Sequence, residues 1–139
     1  MIRFFEMSDY ESVYQLWQNT SGVGLRSIDD SREGIERFVR RNPRTNFVAE
    51  EDGRIIGAVL SGHDGRRGNI YHLCVDGSHR RRGIGRQLVD KVIEAMKDEK
   101  ITALSLVCFT DNETGNNFWS KLGWIKRPDL ISYRLYLNE

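Results

Sequence analysis

Arg80-Arg81-Arg82-Gly83-Ile84-Gly85 is the stretch from which the rest of this sequence is best interpreted. It follows an apolar segment ending at Val75 and precedes apolar residues at helical spacing, so we expect a strand, a turn and a helix. A helix N-terminus presents unpaired N–H groups and a partial positive charge. Glycine lets backbone amides approach an anion, and arginine adds charge and planar donors. The stretch therefore predicts a phosphate or pyrophosphate site.

Two other phosphate-binding motifs do not fit this stretch. A dinucleotide fingerprint needs a third glycine three residues after Gly85, where the sequence has Leu88. A P-loop needs Gly-Lys-Ser or Gly-Lys-Thr, and the sequence contains neither tripeptide. The two glycines therefore require another explanation.

Hydrophobic periodicity on either side of the turn predicts alternating strands and helices. The predicted strands are Ile2–Phe5, Asn46–Glu51, Arg54–Ser61, Asn69–Val75, Ile101–Phe109, Trp124–Lys126 and Ser132–Leu137. Helices are expected over residues 9–19, from Asp30 to Pro43, from Ile84 onward and over Thr114–Leu122. Asp52-Gly53 predicts a hairpin turn between two of the strands. The order predicts an α/β (α+β) fold with a mixed sheet and helices on both faces.

Two capping signatures mark where the first two helices should begin. Ser8 precedes Glu11 by three residues, and Asp30 precedes Glu33 by the same spacing. A short polar side chain at the N-cap with an acidic residue three positions later satisfies free amides at a helix start. We therefore expect Ser8 and Asp30 to be the two N-caps.

Composition limits the classes of protein to which this chain can belong. Its 139 residues fit one domain, residues 1–139. Lys and Arg number 21 against 20 Asp and Glu, which argues against a surface built for nucleic acid. Two cysteines and three histidines without a CxxC pair give no support for a metal site. Without a signal-type N-terminus or a run of about 18 apolar residues, we expect a cytoplasmic protein with no membrane segment.

The pattern R-x-x-G-x-G from Arg80 to Gly85, shortly after a strand-ending valine, resembles the signature of the GNAT N-acetyltransferase superfamily. Asn112, Phe118, Gly123 and Trp124 are similar to a second segment of that family. The order of elements agrees along essentially the whole chain. Gly62–Gly68 followed by Tyr71–Val75 further resembles a YpeA-like bacterial subgroup of small acetyltransferases.

This resemblance implies a mostly antiparallel sheet of six to seven strands, splayed in the middle, that binds acetyl-CoA and needs no metal. The strand at Leu73–Val75 would pair with the pantetheine arm, and the turn would hold the pyrophosphate. Asn112 would contact the cofactor beyond the splay. The implied cofactor contacts are Leu73, Cys74, Val75, Arg80, Arg81, Arg82, Gly83, Ile84, Gly85, Arg86, Asn112 and Trp119.

The resemblance also implies direct acetyl transfer to a primary amine in a ternary complex, and the catalytic residues are less evident. Trp119 stands where the family has a thiolate-protonating tyrosine, and an indole N–H is not a usable acid. Tyr71 and His72 are candidate catalytic residues, on opposite faces if the strand alternates regularly. Asp64, Glu50 and a water-relayed proton are alternatives for the base.

The sequence leaves the identity of the amine acceptor and the oligomeric state open. The resemblance implies an acceptor pocket built by the loop Thr20–Ile28 and the final hairpin, which would take a small-molecule or protein amine. A homodimer through Tyr133 and Tyr136 of the last strand is one arrangement the sequence allows. A CoA-binding protein without transferase activity is the main alternative. A nucleic-acid-binding module using the arginines is a weaker one.

Overall fold

A five-stranded sheet organises the first of two compact units, Met1–Val107, in a computed structural model that describes residues 1–138. Its strands are β1 (Ile2–Phe4), β2 (Phe47–Glu51), β3 (Arg54–His63), β4 (Gly68–Val75) and β5 (Leu104–Ser105). They lie in the order β1-β2-β3-β4-β5, the first four antiparallel and β5 parallel to β4. This unit also contains α1 (Tyr10–Gln18), α2 (Arg32–Arg41) and α3 (Ile84–Asp98).

Helices cover both faces of the sheet, as predicted. On one face, Val13 and Trp17 of α1 and Ile35 of α2 form a buried cluster with β-strand side chains such as Leu60. The other face packs against α3: a Cβ added to Gly57 would lie only 3.2 Å from Cδ1 of Leu88. This close approach explains why a glycine is used in the middle of β3.

The sheet has fewer strands than the six to seven that were expected. No residue of the described segment 124–138 pairs in a strand, and β5 is limited to two residues. The alternating side chains Ile131, Tyr133 and Leu135 are exposed. Alternation in sequence forms a strand only where a neighbouring strand pairs with its backbone groups, and none does here.

Both predicted caps were wrong, and each error has a local cause. Before α1, Glu6 and Asp9 form the capping box around a 3₁₀ turn at Met7–Asp9, so Ser8 lies inside the turn. Before α2, Ser31 is the N-cap, and its hydroxyl accepts a hydrogen bond from the amide of Gly34 at 3.1 Å. The carboxylate of Asp30 is therefore left for another partner.

The predicted hairpin is confirmed. Asp52 and Gly53 both have positive φ angles, 51° and 76°, between β2 and β3. Two successive positive φ angles are characteristic of the tight turns that match the twist of a hairpin.

The second unit begins at Cys108 and contains α4 (Glu113–Lys121). Its start is capped by Asn112, whose side-chain oxygen accepts a hydrogen bond from the amide of Gly115 at 3.0 Å. Gly123 follows the helix with a φ of 89°, in the left-handed region that commonly ends a helix. The predicted helix at Thr114–Leu122 thus forms with a shift of one residue at each end.

Candidate active site

The turn between β4 and α3 has the backbone shape expected of an anion site. Arg81 and Gly83 have φ angles of 65° and 77°, and α3 begins directly after Gly83. The amide of Gln87 donates to the carbonyl of Gly83 at 3.0 Å, which is the first bond of the helix. The amides of residues 84–86 therefore have no carbonyl to bind within the helix, and are free to bind an anion.

Arg81 stores strain that neither a hairpin nor a helix end explains. Three non-glycine residues have positive φ among the described residues: Asp52, Arg81 and Lys100. Asp52 lies in the hairpin turn, and Lys100 directly follows the last turn of α3. A left-handed non-glycine residue costs about 1–2 kcal/mol. Such strain is concentrated at functional sites, which supports a role for this turn.

The arginines of the turn differ in their partners. Arg82 forms two hydrogen bonds to Glu51 at the end of β2, at 2.6 and 3.1 Å. These bonds hold the pKa of the Glu51 carboxyl below its ordinary value. Arg80, Arg81 and Arg86 are exposed and form no ion pair with any residue from 1 to 138. Their charges remain available to a ligand, whereas the guanidinium of Arg82 is already engaged.

Glu51, which binds Arg82, also contacts His79 near the end of β4. The Nε2 of His79 lies 3.3 Å from Glu51, and its Nδ1 lies 2.7 Å from Asp76. Glu51 thereby joins two residues of the segment between β4 and α3. This network fixes the turn to the neighbouring end of β2.

The edge of β4 that leads into this turn is open. β4 pairs with β5 only at Gly68 with Leu104 and at Asn69 with Ser105. From Ile70 to Val75, no described residue pairs with that edge of the strand. On its other side the strand remains paired with β3. An extended ligand can add to such an edge as a further strand.

A bulge in β4 changes the orientation of Tyr71. His72 pairs with Leu60, and Ile70 pairs with Ser61, which leaves Tyr71 without an opposite residue. The Tyr71 ring lies 5.5 Å from that of Phe38, on α2, between ring centroids. The His72 ring lies 4.9 Å from that of Trp17, on α1. Tyr71 and His72 therefore contact the same helical layer, and the expectation of opposite faces was wrong because a bulge interrupts the alternation.

Buried amide and hydroxyl groups support the bulge from the β3 side. The amide of Ser61 donates to the side-chain oxygen of Asn46 at 2.9 Å, and Thr45 donates to the carbonyl of Ser61 at 2.7 Å. Asn46 in turn donates to the carbonyl of Asn42 at 2.7 Å. These bonds satisfy polar groups that the irregular pairing would otherwise leave buried without partners.

His72 is paired with a carboxylate that was assigned to another role from the sequence. Its Nε2 lies 2.8 Å from Oδ1 of Asp30, and the two side chains are only 12% and 8% exposed. The other carboxylate oxygen of Asp30 accepts a hydrogen bond from the amide of Arg26 at 2.8 Å. The backbone carbonyl of Asp30 accepts one from the hydroxyl of Tyr10 at 2.6 Å. One feature of the sequence could have indicated this pair. Ser31, next to Asp30, is an equally good N-cap, so the Asp30 carboxylate need not cap α2.

The other carboxylate candidates are engaged in local structure. Glu50 lies 2.8 Å from Arg3. Asp64 accepts from the amides of Arg67 and Arg66, both at 2.8 Å, which hold the pKa of its carboxyl below its ordinary value. In the part of the chain that the structure describes, neither Glu50 nor Asp64 forms a contact with a histidine like the one between Asp30 and His72.

A family model described as the acetyltransferase (GNAT) family matches residues 10–124. The chain belongs to this family. An acetyltransferase of Yersinia pestis (strain Pestoides F) is 32% identical to this chain over 139 residues, covering 99% of this chain and 97% of the relative.

Solved structures of GNAT proteins share the fold. Ard1 from Thermoplasma volcanium is 25% identical with a TM-score of 0.79, covering 90% of this chain and 82% of that chain. The PaiA N-acetyltransferase of Thermoplasma acidophilum, solved in complex with coenzyme A, is 17% identical with a TM-score of 0.77, covering 88% of this chain and 87% of that chain. The expected family and its acetyltransferase class are thus confirmed, whereas the YpeA-like subgroup stays a prediction.

Two predicted cofactor contacts of this GNAT chain lie in the second unit. Asn112 caps α4 with its side-chain oxygen. The Trp119 ring lies 5.0 Å from that of Phe118 and 4.8 Å from that of Trp124, between centroids. Both cofactor roles stay predictions, as does the prediction of a single domain.

The described part of the GNAT chain contains no helix long and apolar enough to cross a membrane. Within residues 1–138, no group of three or more His, Cys, Asp or Glu side chains is placed to hold a metal ion.

Proposed function

We propose that this chain transfers the acetyl group of acetyl-CoA directly to a primary amine in a ternary complex. The observation that carries the proposal is the open edge of β4 from Ile70 to Val75, which leads into the strained turn at the start of α3. The edge and the turn together suit a ligand with an extended arm and a pyrophosphate. Membership of the acetyltransferase family supports this interpretation.

In this proposal the binding residues divide by chemistry. The free amides near Arg81 to Arg86 hold the pyrophosphate, and the unpaired arginines of the turn add positive charge. The backbone of Leu73–Val75 pairs with the pantetheine arm along the open edge. Arg82 acts by holding the turn against Glu51.

Acetyl-CoA supplies the acyl carbon when it is bound. A C–N bond forms to the acceptor while the C–S bond breaks, so no bond to the protein is required. His72 accepts the amine proton, and Asp30 keeps its ring in position. A backbone amide of residues 73–75 meets the developing negative charge on the carbonyl oxygen. A thiol pKa of about 8–9 lets the thiolate leave without a side-chain acid.

The cysteines support direct transfer. Burial raises the pKa of the Cys74 thiol to about 12, and burial also raises the pKa of Cys108. A cysteine must be a thiolate to act as a nucleophile, and these two remain protonated at neutral pH. An acetyl-cysteine intermediate is therefore disfavoured.

The test is release of CoA thiol from acetyl-CoA in the presence of a panel of primary amines. Arg81→Glu reverses the charge of a side chain in the turn whose backbone is left-handed. We expect it to raise the KM for acetyl-CoA by about tenfold or more. Lys100→Glu is the matched control, because it reverses the charge of another residue with a left-handed backbone that lies outside the turn. Equal effects of the two substitutions would count against the proposed turn.

A second candidate is a CoA-binding protein without transferase activity. Trp119 favours it, because it replaces the family's usual tyrosine acid. Tight calorimetric binding of CoA with no amine-dependent thiol release across the panel would establish this candidate instead. Amine-dependent release exceeding hydrolysis would reject it.

A further inference from the structure

A groove of about 380 Å³ lies beside the bulge of β4, between the end of α2 and the β3–β4 turn. Its lining includes Phe38, Arg41, Asp64, Arg67, Asn69 and Tyr71. The volume lies in the range of about 300–1,000 Å³ that small ligands occupy. Tyr71 and His72 are consecutive residues of β4, so the groove lies one residue along the strand from the proposed proton acceptor.

The aromatic part of the groove is preorganised. Phe38 and Tyr71 meet edge to face, with their ring planes at 89°. The Tyr71 side chain is 56% exposed although the residue lies within β4. Its backbone is the bulged position of the strand, and its side chain lies on the α2 side of the sheet. The two rings offer an apolar wall against which the carbon skeleton of a ligand can pack.

The charges in the groove are unbalanced. Asp64 carries one negative charge, and its Oδ1 accepts hydrogen bonds from the amides of Arg66 and Arg67, which fix the turn between β3 and β4. Against this single charge stand Arg41 and Arg67. Neither Arg41 nor Arg67 forms an ion pair with a described residue. The C-terminal end of α2 offers Arg41 the equivalent of only about half a negative charge. Two guanidinium groups thus line the groove without a carboxylate partner.

We propose that this groove binds a carboxylate carried by the amine acceptor, with Arg41 and Arg67 as its cationic partners. The inference rests on the proposed function, because it places the anionic end of the acceptor beside His72. A guanidinium binds a carboxylate through two parallel hydrogen bonds, which gives both affinity and orientation. The acceptor class is then a primary amine with a carboxylate several bonds from the reacting nitrogen.

The kinetic test uses alanyl dipeptides and tripeptides as acceptors, each as the free acid and as the C-terminal amide. We expect the acids to be preferred by about tenfold or more in kcat/KM, the effect of one charged hydrogen bond. Arg41→Gln and Arg67→Gln should remove most of this preference by raising the acceptor KM. Equal use of acids and amides, or an unchanged preference in both variants, would overturn the proposal.

Two matched substitutions control for the loss of positive charge. Arg40 is next to Arg41 on α2 and lies 3.8 Å from Glu36, and Arg66 is next to Arg67 in the turn. Neither residue lines the groove. We expect Arg40→Gln and Arg66→Gln to keep the preference for acids. If they lose it as fully as the groove variants do, the effect is one of overall charge and the proposal fails.

A binding measurement separates this inference from the proposed function. The N-acetylated dipeptide acid should shift the NMR resonances of the Tyr71 and Phe38 rings, and its amide should not. Arg67→Gln should abolish the shift. If the acid binds in this way but no amine is acetylated, the proposed function fails and the carboxylate site stands. If the rings do not respond to the acid, the carboxylate site is rejected.

Discussion

At the scale of single residues, the pair of His72 and Asp30 connects the loop before α2 to the bulge of β4. Their 2.8 Å contact is shielded from solvent, so the ring is held in one orientation. A carboxylate bonded to one ring nitrogen favours the tautomer in which the other nitrogen accepts a proton. Asp30 is in this account a positioning residue, and His72 is the group that takes the proton.

We expect His72→Gln to lower kcat/KM for the amine by about 10²–10⁴-fold, the usual contribution of a general base. Asp30→Asn should lower it less and change the pH dependence of kcat/KM, with little effect on the KM for acetyl-CoA. Asp29→Asn is the control, because Asp29 is exposed and contacts Arg26 instead. Full activity of His72→Gln with an unchanged pH profile would assign the proton to another group.

At the scale of elements, the turn before α3 is held in place by the end of β2. Arg82 and Glu51 are paired at 2.6 Å, so removing either should loosen the turn and raise the KM for acetyl-CoA a few-fold. The effects of Arg82→Gln and Glu51→Gln should be less than additive in the double variant, because both substitutions break the contact between Arg82 and Glu51. If Glu51→Gln instead lowers the KM, Arg82 binds the phosphates directly.

Sequence patterns predicted the elements of the fold well and their irregularities poorly. The turn at Arg80–Gly85, the hairpin at Asp52-Gly53 and the amphipathic α3 follow from local chemistry, and they lie where expected. The bulge at Tyr71 depends on Asn46, which is distant in sequence, so strand alternation could not reveal it. Asp30 was misassigned because two adjacent residues could each cap α2 and only one does.

The absent C-terminal strands have a different cause. The alternating side chains of residues 131–137 satisfy the local pattern for a strand. Pairing depends on a neighbouring edge, which no local pattern specifies. Sequence reasoning therefore set the strand number too high while it identified the family correctly.

At the scale of the whole molecule, stability in acid depends on the partly buried ion pair of Asp9 with Arg3. Burial disfavours the Asp9 carboxylate, but two hydrogen bonds from Arg3 and one from the amide of Glu6 outweigh it and lower its pKa. This stabilisation is complete above the unfolded pKa of about 3.9 and is lost as the pH falls through the folded value.

We therefore expect Asp9→Asn to reduce the free energy of unfolding at pH 7 by about 1–3 kcal/mol, the cost of losing charged hydrogen bonds. The difference from wild type should shrink as the pH is lowered below about 4, because the unfolded wild-type chain then takes up a proton at Asp9 and the folded chain does so only at lower pH. Urea unfolding at several pH values measures both effects. Asp90→Asn, an exposed change on α3, should have little effect at any pH. A difference that is constant with pH would contradict the ion-pair explanation.

The central claim, that the turn at Arg80–Arg86 binds the pyrophosphate of CoA, is tested most directly by calorimetric titration with CoA and with pantetheine, which lacks the pyrophosphate and the nucleotide attached to it. We expect pantetheine to bind at least about tenfold more weakly, and Arg81→Glu to bring the affinity for CoA down toward that for pantetheine. Equal affinities of the wild-type protein for the two ligands, or an undiminished affinity of folded Arg81→Glu for CoA, would contradict the claim.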